Sequence, residues 1–254
     1  MKYLIKLSYC GTDFAGFQVQ PNANTVQAEL MRAAEKIFKS PCLITGCSRT
    51  DSGVHAYEYF ATVEDPSDRA NIPADKLPYA FAAVLPPSVS VMKAWKVRED
   101  FSVRRAVSGK EYVYIIWCRE YPDPFLASRA WHYRRAPDVD KMNEAARLLV
   151  GTHDFASFMA SGSSITDTVR TVTGCRVEKH ENGCVKVYVS ADGFLYNMVR
   201  IIVGTLIHVS EGKISPSDIP GIIAAKDRKK AGMTAPADGL YLNKVFIDLE
   251  RLQI

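Results

Sequence analysis

The 254-residue sequence contains no apolar run long enough to cross a bilayer. The best candidate, residues 195–207, is interrupted by Asn197 and Arg200, whereas a membrane helix needs about 18 to 20 mostly apolar residues. The N-terminus alternates lysine with apolar residues and lacks the continuous apolar segment and cleavage site of a signal peptide. These absences predict a cytoplasmic protein that does not associate with membranes.

Metal-binding and nucleotide-binding motifs are also missing. The six cysteines form no Cys-x-x-Cys pair, and the five histidines form no His-x-x-x-His or Glu-x-x-His arrangement. There is no Walker glycine loop, no G-x-G-x-x-G and no G-x-S-x-G elbow. We therefore expect free buried thiols, no metal and no cofactor.

Composition leaves a wide choice of partners. A hydrophobic content of 47% is enough for a substantial core, and a formal net charge of +4 permits a nucleic-acid partner without establishing one. The function must therefore be sought in motifs.

Hydrophobic periodicity predicts an α+β fold. Residues 2–10 alternate as a strand, and Asn24 or Thr25 caps a helix that continues to Phe38. Further strands are predicted from the turn at 51–53 through 62 and at 88–97, 111–118, 169–177, 185–190 and 241–248, and further helices at 74–84, 139–150, 194–210 and 216–225.

The order of these elements is similar in the two halves of the chain. It predicts two similar α/β lobes, residues 1–104 and 105–254, that share a mostly antiparallel central sheet with helices on one side. A cleft between lobes is a common place for a site.

The most unusual polar segment is Ser48-Arg49-Thr50-Asp51-Ser52-Gly53-Val54-His55-Ala56, which leads directly into an apolar strand. Taken alone, Asp51 is compatible with an ordinary Asp-Ser-Gly turn, and His55 with a packed histidine. A catalytic role for either residue needs support from the rest of the chain.

That support is a resemblance. Residues 48–56 resemble the Gly-Arg-Thr-Asp-x-Gly-Val-His-Ala signature of the tRNA pseudouridine synthase A family. Segments similar to that family recur in order at 9–18, 25–27, 110–114, 151–155, 194–200, 203–206 and 235–242.

The resemblance implies a role for five residues. It places the catalytic aspartate at Asp51, its partner arginine at Arg49, the active-site tyrosine at Tyr112, an apolar residue over the target base at Leu240 and a helix arginine at Arg200. A guanidinium beside a carboxylate favours its ionised form. Without the resemblance, Tyr112 and Leu240 are typical of core residues, and Arg200 of a solvated helix charge.

The resemblance also implies a function: a cofactor-free isomerase that converts uridine to pseudouridine at positions 38 to 40 of the tRNA anticodon arm, with an aspartate nucleophile in a cleft between lobes. It further implies a homodimer. Two alternatives remain: a catalytically silent tRNA-binding or chaperone protein, and a hydrolase in which Asp51 and His55 form an acid-base pair.

The sequence departs from the family pattern at three places. Ser48 replaces a Gly, Glu58-Tyr59 replaces a Gly-Gln pair, and Ser102-Val103 replaces the middle of a Phe-His-Ala-Arg segment. These changes put RNA contacts in doubt. Two basic groups are candidates for such contacts or are solvated charges: Arg129 with Arg134 and Arg135, and Lys226 with Arg228, Lys229 and Lys230.

Overall fold

A computed structural model describes residues 1–67, 72–163 and 165–248. The chain forms two compact units, one of residues 1–108 with 242–248 and one of residues 109–241. Both units combine helices with mostly antiparallel strands, which confirms the predicted α+β class. Within the described residues, no helix has the length and apolarity that a membrane span requires.

The first unit is built on the strands β1, β2, β3, β4 and β10. In sheet order, β4 is followed by β1, β3 and β10, and β2 pairs separately with β3. The elements are β1 (Lys2–Tyr9), α1 (Val26–Phe38), β2 (Leu43–Gly46), β3 (His55–Glu64), α2 (Leu77–Ala82), β4 (Val89–Val97), α3 (Val103–Ala106) and β10 (Leu240–Ile247).

Helix α1 covers the core of this unit and follows its predicted pattern. The Thr25 hydroxyl accepts a hydrogen bond from the main-chain N–H of Ala28 at 3.3 Å, which caps one of the unpaired donors of the first turn. The helix ends where Lys39 adopts a left-handed φ of 57°. Its buried residues are Val26, Leu30, Ala33, Ala34 and Phe38.

In the second unit the strand order is β5, β9, β8 and β7, and β6 pairs with β5 in parallel. Helices α4 and α5 and the short α6 complete it. The elements are β5 (Val107–Trp117), β6 (Trp131–His132), α4 (Val139–Arg147), β7 (Gly151–Asp154), β8 (Val169–Lys179), β9 (Cys184–Ala191), α5 (Met198–Ser210) and α6 (Ile219–Ala225).

Several element boundaries differ from the predictions for local reasons. The helix predicted from Phe194 begins only at Met198, because Asn197 adopts a left-handed φ of 59°. The helix predicted over 74–84 divides into a short 3-10 turn and α2, with Pro78 in the first helical turn. The strands β2, β6 and β7 were not predicted, because two to four residues carry no readable alternation.

Candidate active site

The loop that carries Asp51 joins β2 to β3 and lies against residues 11–17. Main-chain hydrogen bonds connect the two segments: the Phe17 N–H donates to the Thr50 carbonyl oxygen, and the Gly53 N–H donates to the Phe14 carbonyl oxygen, both at 3.2 Å. Within the loop, the Val54 N–H donates to the Asp51 carbonyl oxygen at 3.2 Å. The loop is therefore held at both ends.

Two glycines allow the segments to approach this closely. A Cβ at Gly11 would lie 2.0 Å from the Val54 carbonyl oxygen, and a Cβ at Gly16 would lie 2.4 Å from the Thr50 carbonyl oxygen. Gly16 also has a φ of +89°, which side-chain-bearing residues rarely adopt. Any other residue at these positions would displace the loop that carries Asp51.

The Thr25-Val26-Gln27 segment fixes residues 11–17 in turn. The Val26 and Gln27 N–H groups donate to the carbonyl oxygens of Gly16 and Phe17 at 3.2 and 2.9 Å. The Gln27 amide nitrogen also donates to the Ile44 carbonyl oxygen in β2 at 2.8 Å. The first turn of α1 thus anchors both the supporting segment and the strand that enters the loop.

Three buried rings, Tyr9, Phe17 and Tyr59, pack beneath the start of this loop, and we call them the aromatic clamp. Phe17 stacks on Tyr59 with ring centroids 4.4 Å apart, and Tyr9 meets Tyr59 edge-on at 5.6 Å. The Tyr9 hydroxyl is 2.8 Å from the Thr50 hydroxyl. The sequence did not predict this role for any of these residues, although Tyr9 and Phe17 lie in the segment 9–18 that resembles the family.

Asp51 is half-buried in this loop, and Arg49 is exposed. His55 is only 1% exposed, and its Nδ1 accepts a hydrogen bond from the Gly11 N–H at 3.0 Å. His55 therefore fastens the supporting segment to the start of β3.

Glu58, which departs from the family pattern, and Arg104, which ends the altered segment, both make structural contacts. The Glu58 carboxylate accepts from the Val245 N–H of β10 at 3.0 Å and pairs with the Lys6 ammonium at 2.6 Å. Arg104, the last residue of the altered Phe-x-x-Arg segment, donates from Nε to the Gly46 carbonyl oxygen at 3.3 Å. Arg104 thus contacts the main chain just before the Asp51 loop.

Tyr112 lies in β5 of the second unit, where it is 6% exposed. Its ring meets that of Phe194 at 4.9 Å with an interplanar angle of 84°, an edge-to-face contact. Phe194 belongs to the segment 194–200 that resembles the family, but the sequence did not predict a role for it. This contact fixes the plane of the Tyr112 ring.

Arg200 is half-buried in α5 and holds neighbouring main chain. Its Nε donates to the Ala235 carbonyl oxygen and its Nη1 to the Asn197 side-chain oxygen, both at 2.7 Å. The Ala235 N–H returns a bond to the Arg200 carbonyl oxygen at 3.1 Å. Arg200 therefore anchors the segment that leads to Leu240.

Leu240 is the first residue of β10 and is 6% exposed. The preceding turn is fixed by the Tyr114 hydroxyl, which donates to the Pro236 carbonyl oxygen at 2.8 Å. A Cβ at Gly239 would lie 2.6 Å from the Ile115 carbonyl oxygen, so the turn packs directly on β5. Leu240 is thus placed by a rigid turn.

Some members of the two basic groups are held by contacts within the protein. Lys226 pairs with the Asp154 carboxylate at 2.7 Å, and Arg228 donates to the Gly232 carbonyl oxygen at 2.8 Å. Arg135 of the other group pairs with the Glu211 carboxylate at 3.8 Å. Lys229 and Lys230 are exposed, as are Arg129 and Arg134. These four exposed residues are the members best placed to contact a polyanion.

Tyr133, beside the first basic group, is committed to a contact within the protein. Its hydroxyl donates to the Glu211 carboxylate at 2.7 Å. Burial and this hydrogen bond raise the pKa of Tyr133 to about 12.

No group of three or more potential metal-binding side chains is present among the residues that the structure describes. The six cysteines are free thiols, four of them buried, whereas Cys10 and Cys118 are half-buried. Burial raises the pKa of Cys42 and Cys118 to about 11 and that of Cys175 to about 12. These three thiols are therefore protonated at neutral pH and unsuited to nucleophilic chemistry.

Comparison with known proteins identifies close relatives. The family model described as tRNA pseudouridine synthase matches residues 145–248. Proteins named tRNA pseudouridine synthase A from Thermoanaerobacter sp. (strain X514) and Ruminiclostridium cellulolyticum are 44% and 42% identical to this chain. These alignments cover 95% and 96% of this chain and 98% and 99% of the relatives.

A relative of the same name from Bacillus licheniformis is 44% identical over 252 residues, which is 98% of this chain and 100% of that protein. A chain in the solved structure titled "Crystal Structure of a Cbf5-Nop10-Gar1 Complex" is 12% identical, with a TM-score of 0.39 over 96% of this chain and 48% of that chain. That likeness is too low to add to the assignment. On the sequence identities alone, the chain belongs to the tRNA pseudouridine synthase A family.

Proposed function

We propose that this protein converts uridine to pseudouridine at positions 38 to 40 of the tRNA anticodon arm, with Asp51 as the nucleophile and without a cofactor. Its class follows from family membership: it is an isomerase that acts on tRNA. The observation that carries the assignment to Asp51 is the way its loop is held, by main-chain bonds to Phe14 and Phe17 and by the glycine contacts beneath it.

The reaction rearranges bonds without net gain or loss of atoms. The bond from ribose C1′ to uracil N1 breaks, the uracil turns over, and C1′ bonds to C5. The proton on C5 must leave and N1 must gain one. A carboxylate is able to attack C1′, attack C6 or remove a sugar proton, and each route requires it to be held close to the nucleoside.

A base stacked in an RNA stem hides the atoms that react. The nucleotide must therefore be extruded, at a cost of about a few kcal/mol. We assign to Arg49, Tyr112 and Leu240 the holding of the extruded nucleotide, with Arg200 acting through the segment that leads to Leu240. Arg49 suits this role because it is exposed and available to a phosphate.

The hydrolase alternative requires His55 to exchange protons with Asp51 or with water. His55 is buried, and its Nδ1 is occupied by the Gly11 N–H. A histidine held in this way positions main chain, so we retain the isomerase. A silent RNA-binding protein is disfavoured because the loop that carries Asp51 is supported in such detail.

The test is incubation of the purified protein with unmodified tRNA, followed by mapping of pseudouridine in the anticodon arm. We expect pseudouridine at positions 38 to 40, with no loss of nucleotides and no free uracil. Asp51→Asn should abolish the product while tRNA binding and thermal stability are retained, since a half-buried loop residue contributes little to stability. Asp75→Asn, at a carboxylate exposed by 72%, is the matched control.

Product formation by Asp51→Asn above the uncatalysed background would reject the nucleophile assignment. Release of uracil by the native protein would favour the hydrolase. The homodimer implied by the resemblance stays a prediction, which sedimentation of the purified protein tests.

A further inference from the structure

Tyr59 stands where the family pattern has a glutamine, and it lies at the centre of the aromatic clamp. Its side chain is fully buried at 0% exposure. The hydroxyl accepts a hydrogen bond from the Ser48 N–H at 3.3 Å and donates to the carbonyl oxygen of the same residue. One phenol therefore holds both main-chain polar groups of the residue immediately before Arg49.

The hydroxyl reaches Ser48 only because Gly46 leaves room for it. A Cβ at Gly46 would lie 2.2 Å from the Tyr59 hydroxyl and 2.4 Å from the Phe17 ring. Arg104 donates to the Gly46 carbonyl oxygen. The main chain from 46 to 48 is thus fixed between a guanidinium and a phenol.

The other rings extend this support toward Asp51. The Tyr9 hydroxyl holds the Thr50 hydroxyl, and Phe17, which stacks on Tyr59, donates its N–H to the Thr50 carbonyl oxygen. Contacts to Ser48 and Thr50 therefore lie on both sides of Arg49 and directly before Asp51. A rigid ring assembly sets the main chain from which both side chains project.

We propose that Tyr59 is a positioning residue for the isomerisation, and that its hydroxyl sets the placement of Arg49 and Asp51 through the main chain of Ser48. This inference rests on the proposed function. Tyr59 itself does not touch the nucleoside. Because a displacement of about 1 Å costs an enzyme up to about 100-fold in rate, loss of the hydroxyl should act on turnover rather than on tRNA binding.

The experiment compares two substitutions that each remove one buried phenol hydroxyl from the first unit. Tyr59→Phe keeps the ring and loses both bonds to Ser48. Tyr3→Phe is the matched control: Tyr3 is 1% exposed, and its hydroxyl donates to the Ile72 carbonyl oxygen at 2.8 Å, in a loop that carries no proposed site residue.

We expect Tyr59→Phe to lower kcat by about 10- to 100-fold, with KM and tRNA affinity within about twofold of the native protein. Tyr3→Phe should leave kcat unchanged. Both variants should lower the melting temperature, by similar amounts. Equal effects of the two variants on kcat, or near-native kcat in Tyr59→Phe, would overturn the proposal, because either result reduces Tyr59 to a stability role.

Amide hydrogen exchange of residues 48–51 gives a second measurement that does not need activity. Tyr59→Phe should raise exchange in this peptide and Tyr3→Phe should not, whereas unchanged exchange would contradict the proposal. If native protein forms no pseudouridine, the proposed function fails, and the exchange result still decides whether Tyr59 holds the loop. If Tyr59→Phe is not recovered folded, Tyr9→Phe removes the contact to Thr50, and an undiminished kcat there would count against the clamp.

Discussion

The ring and the hydroxyl of Tyr112 have separable roles in the proposed reaction. The ring, fixed edge-on by Phe194, is able to stack on uracil, whereas the hydroxyl oxygen is able to take the C5 proton once its own proton has passed to solvent. We predict that Tyr112→Phe binds tRNA normally but turns over at least about 100-fold more slowly, since loss of a general base typically costs about 100- to 10,000-fold. Single-turnover kinetics with unmodified tRNA measure this.

Tyr112→Ala is the companion variant, because it removes the ring as well. If Tyr112→Phe keeps near-native turnover while Tyr112→Ala loses affinity for substrate tRNA, Tyr112 is a stacking surface and another group accepts the proton.

Individual site residues differ in how far the sequence alone revealed their surroundings. Asp51, Arg49 and Tyr112 were predicted as site residues because they lie in segments that resemble the family's specific motifs. The contact of His55 with Gly11 was not predictable, since it joins residues 44 apart in the chain and depends on how the start of β3 packs against residues 11–17. The contacts of Tyr59 also depend on how the chain folds. From the sequence alone, Tyr59 was therefore only a departure from the family pattern that put RNA contacts in doubt.

At the scale of elements, the Gly-Thr-His-Asp-Phe segment connects β7 to two neighbouring segments through Asp154. One Asp154 oxygen accepts from the Thr168 hydroxyl and from the Ala156 N–H, and the other pairs with Lys226. Lys226, and then the Thr168 hydroxyl, hold the pKa of Asp154 below its ordinary value of 3.8. The folded state therefore favours the ionised carboxylate over the protonated acid.

A lowered pKa in the folded state stabilises the protein above the ordinary pKa, and the benefit is lost as pH falls through the folded value. Asp154→Asn should therefore lower the free energy of unfolding by about 1 kcal/mol at pH 7, a modest figure because Lys226 is largely exposed. Urea unfolding should show the deficit shrinking as pH approaches 3.5. An equal deficit at both pH values would contradict the ionic explanation, and Asp75→Asn serves as control.

In helix α5, hydrophobic periodicity predicted burial but not the close contact that requires a glycine. Its apolar residues predicted a buried helix, and ten of its 13 residues are buried. The pattern did not show why Gly204 is needed: a Cβ there would lie 1.8 Å from the Met233 carbonyl oxygen. Contacts between a helix and a distant irregular segment leave no periodic signal, so only the resemblance marked this glycine.

At the scale of the whole molecule, tRNA binding should depend on the exposed basic residues. Replacing both Lys229 and Lys230 with alanine should weaken binding and reduce the slope of log affinity against log salt by about 1 to 2, because fewer counterions are released. Filter binding across a salt series measures both effects. An unchanged slope would exclude these lysines from RNA contact.

The matched control replaces Lys141 and Lys213 with alanine. It removes the same formal charge from the same unit, but these lysines are paired with Asp138 at 3.1 Å and with Glu211 at 2.7 Å. Since their charges are already partly neutralised within the protein, the salt slope should change little.

The broad class of the fold was predictable from the order of strands and helices. Which residues belong to which unit was less predictable. Nothing in residues 242–248 indicates that they belong with the first unit, because they follow the second unit in the chain. The Glu58 contact with the Val245 N–H, which contributes to that association, joins residues 187 apart.

This arrangement has a consequence for biogenesis. The ribosome completes residues 1–108 long before it synthesises β10, the strand that lies beside β3. Until then, β3 lacks one neighbour and Glu58 lacks its Val245 donor, so the nascent first unit presents unpaired strand edge to other chains. β3, the strand that directly follows the Asp51 loop, thus gains its β10 neighbour only when translation reaches this last strand of the described chain.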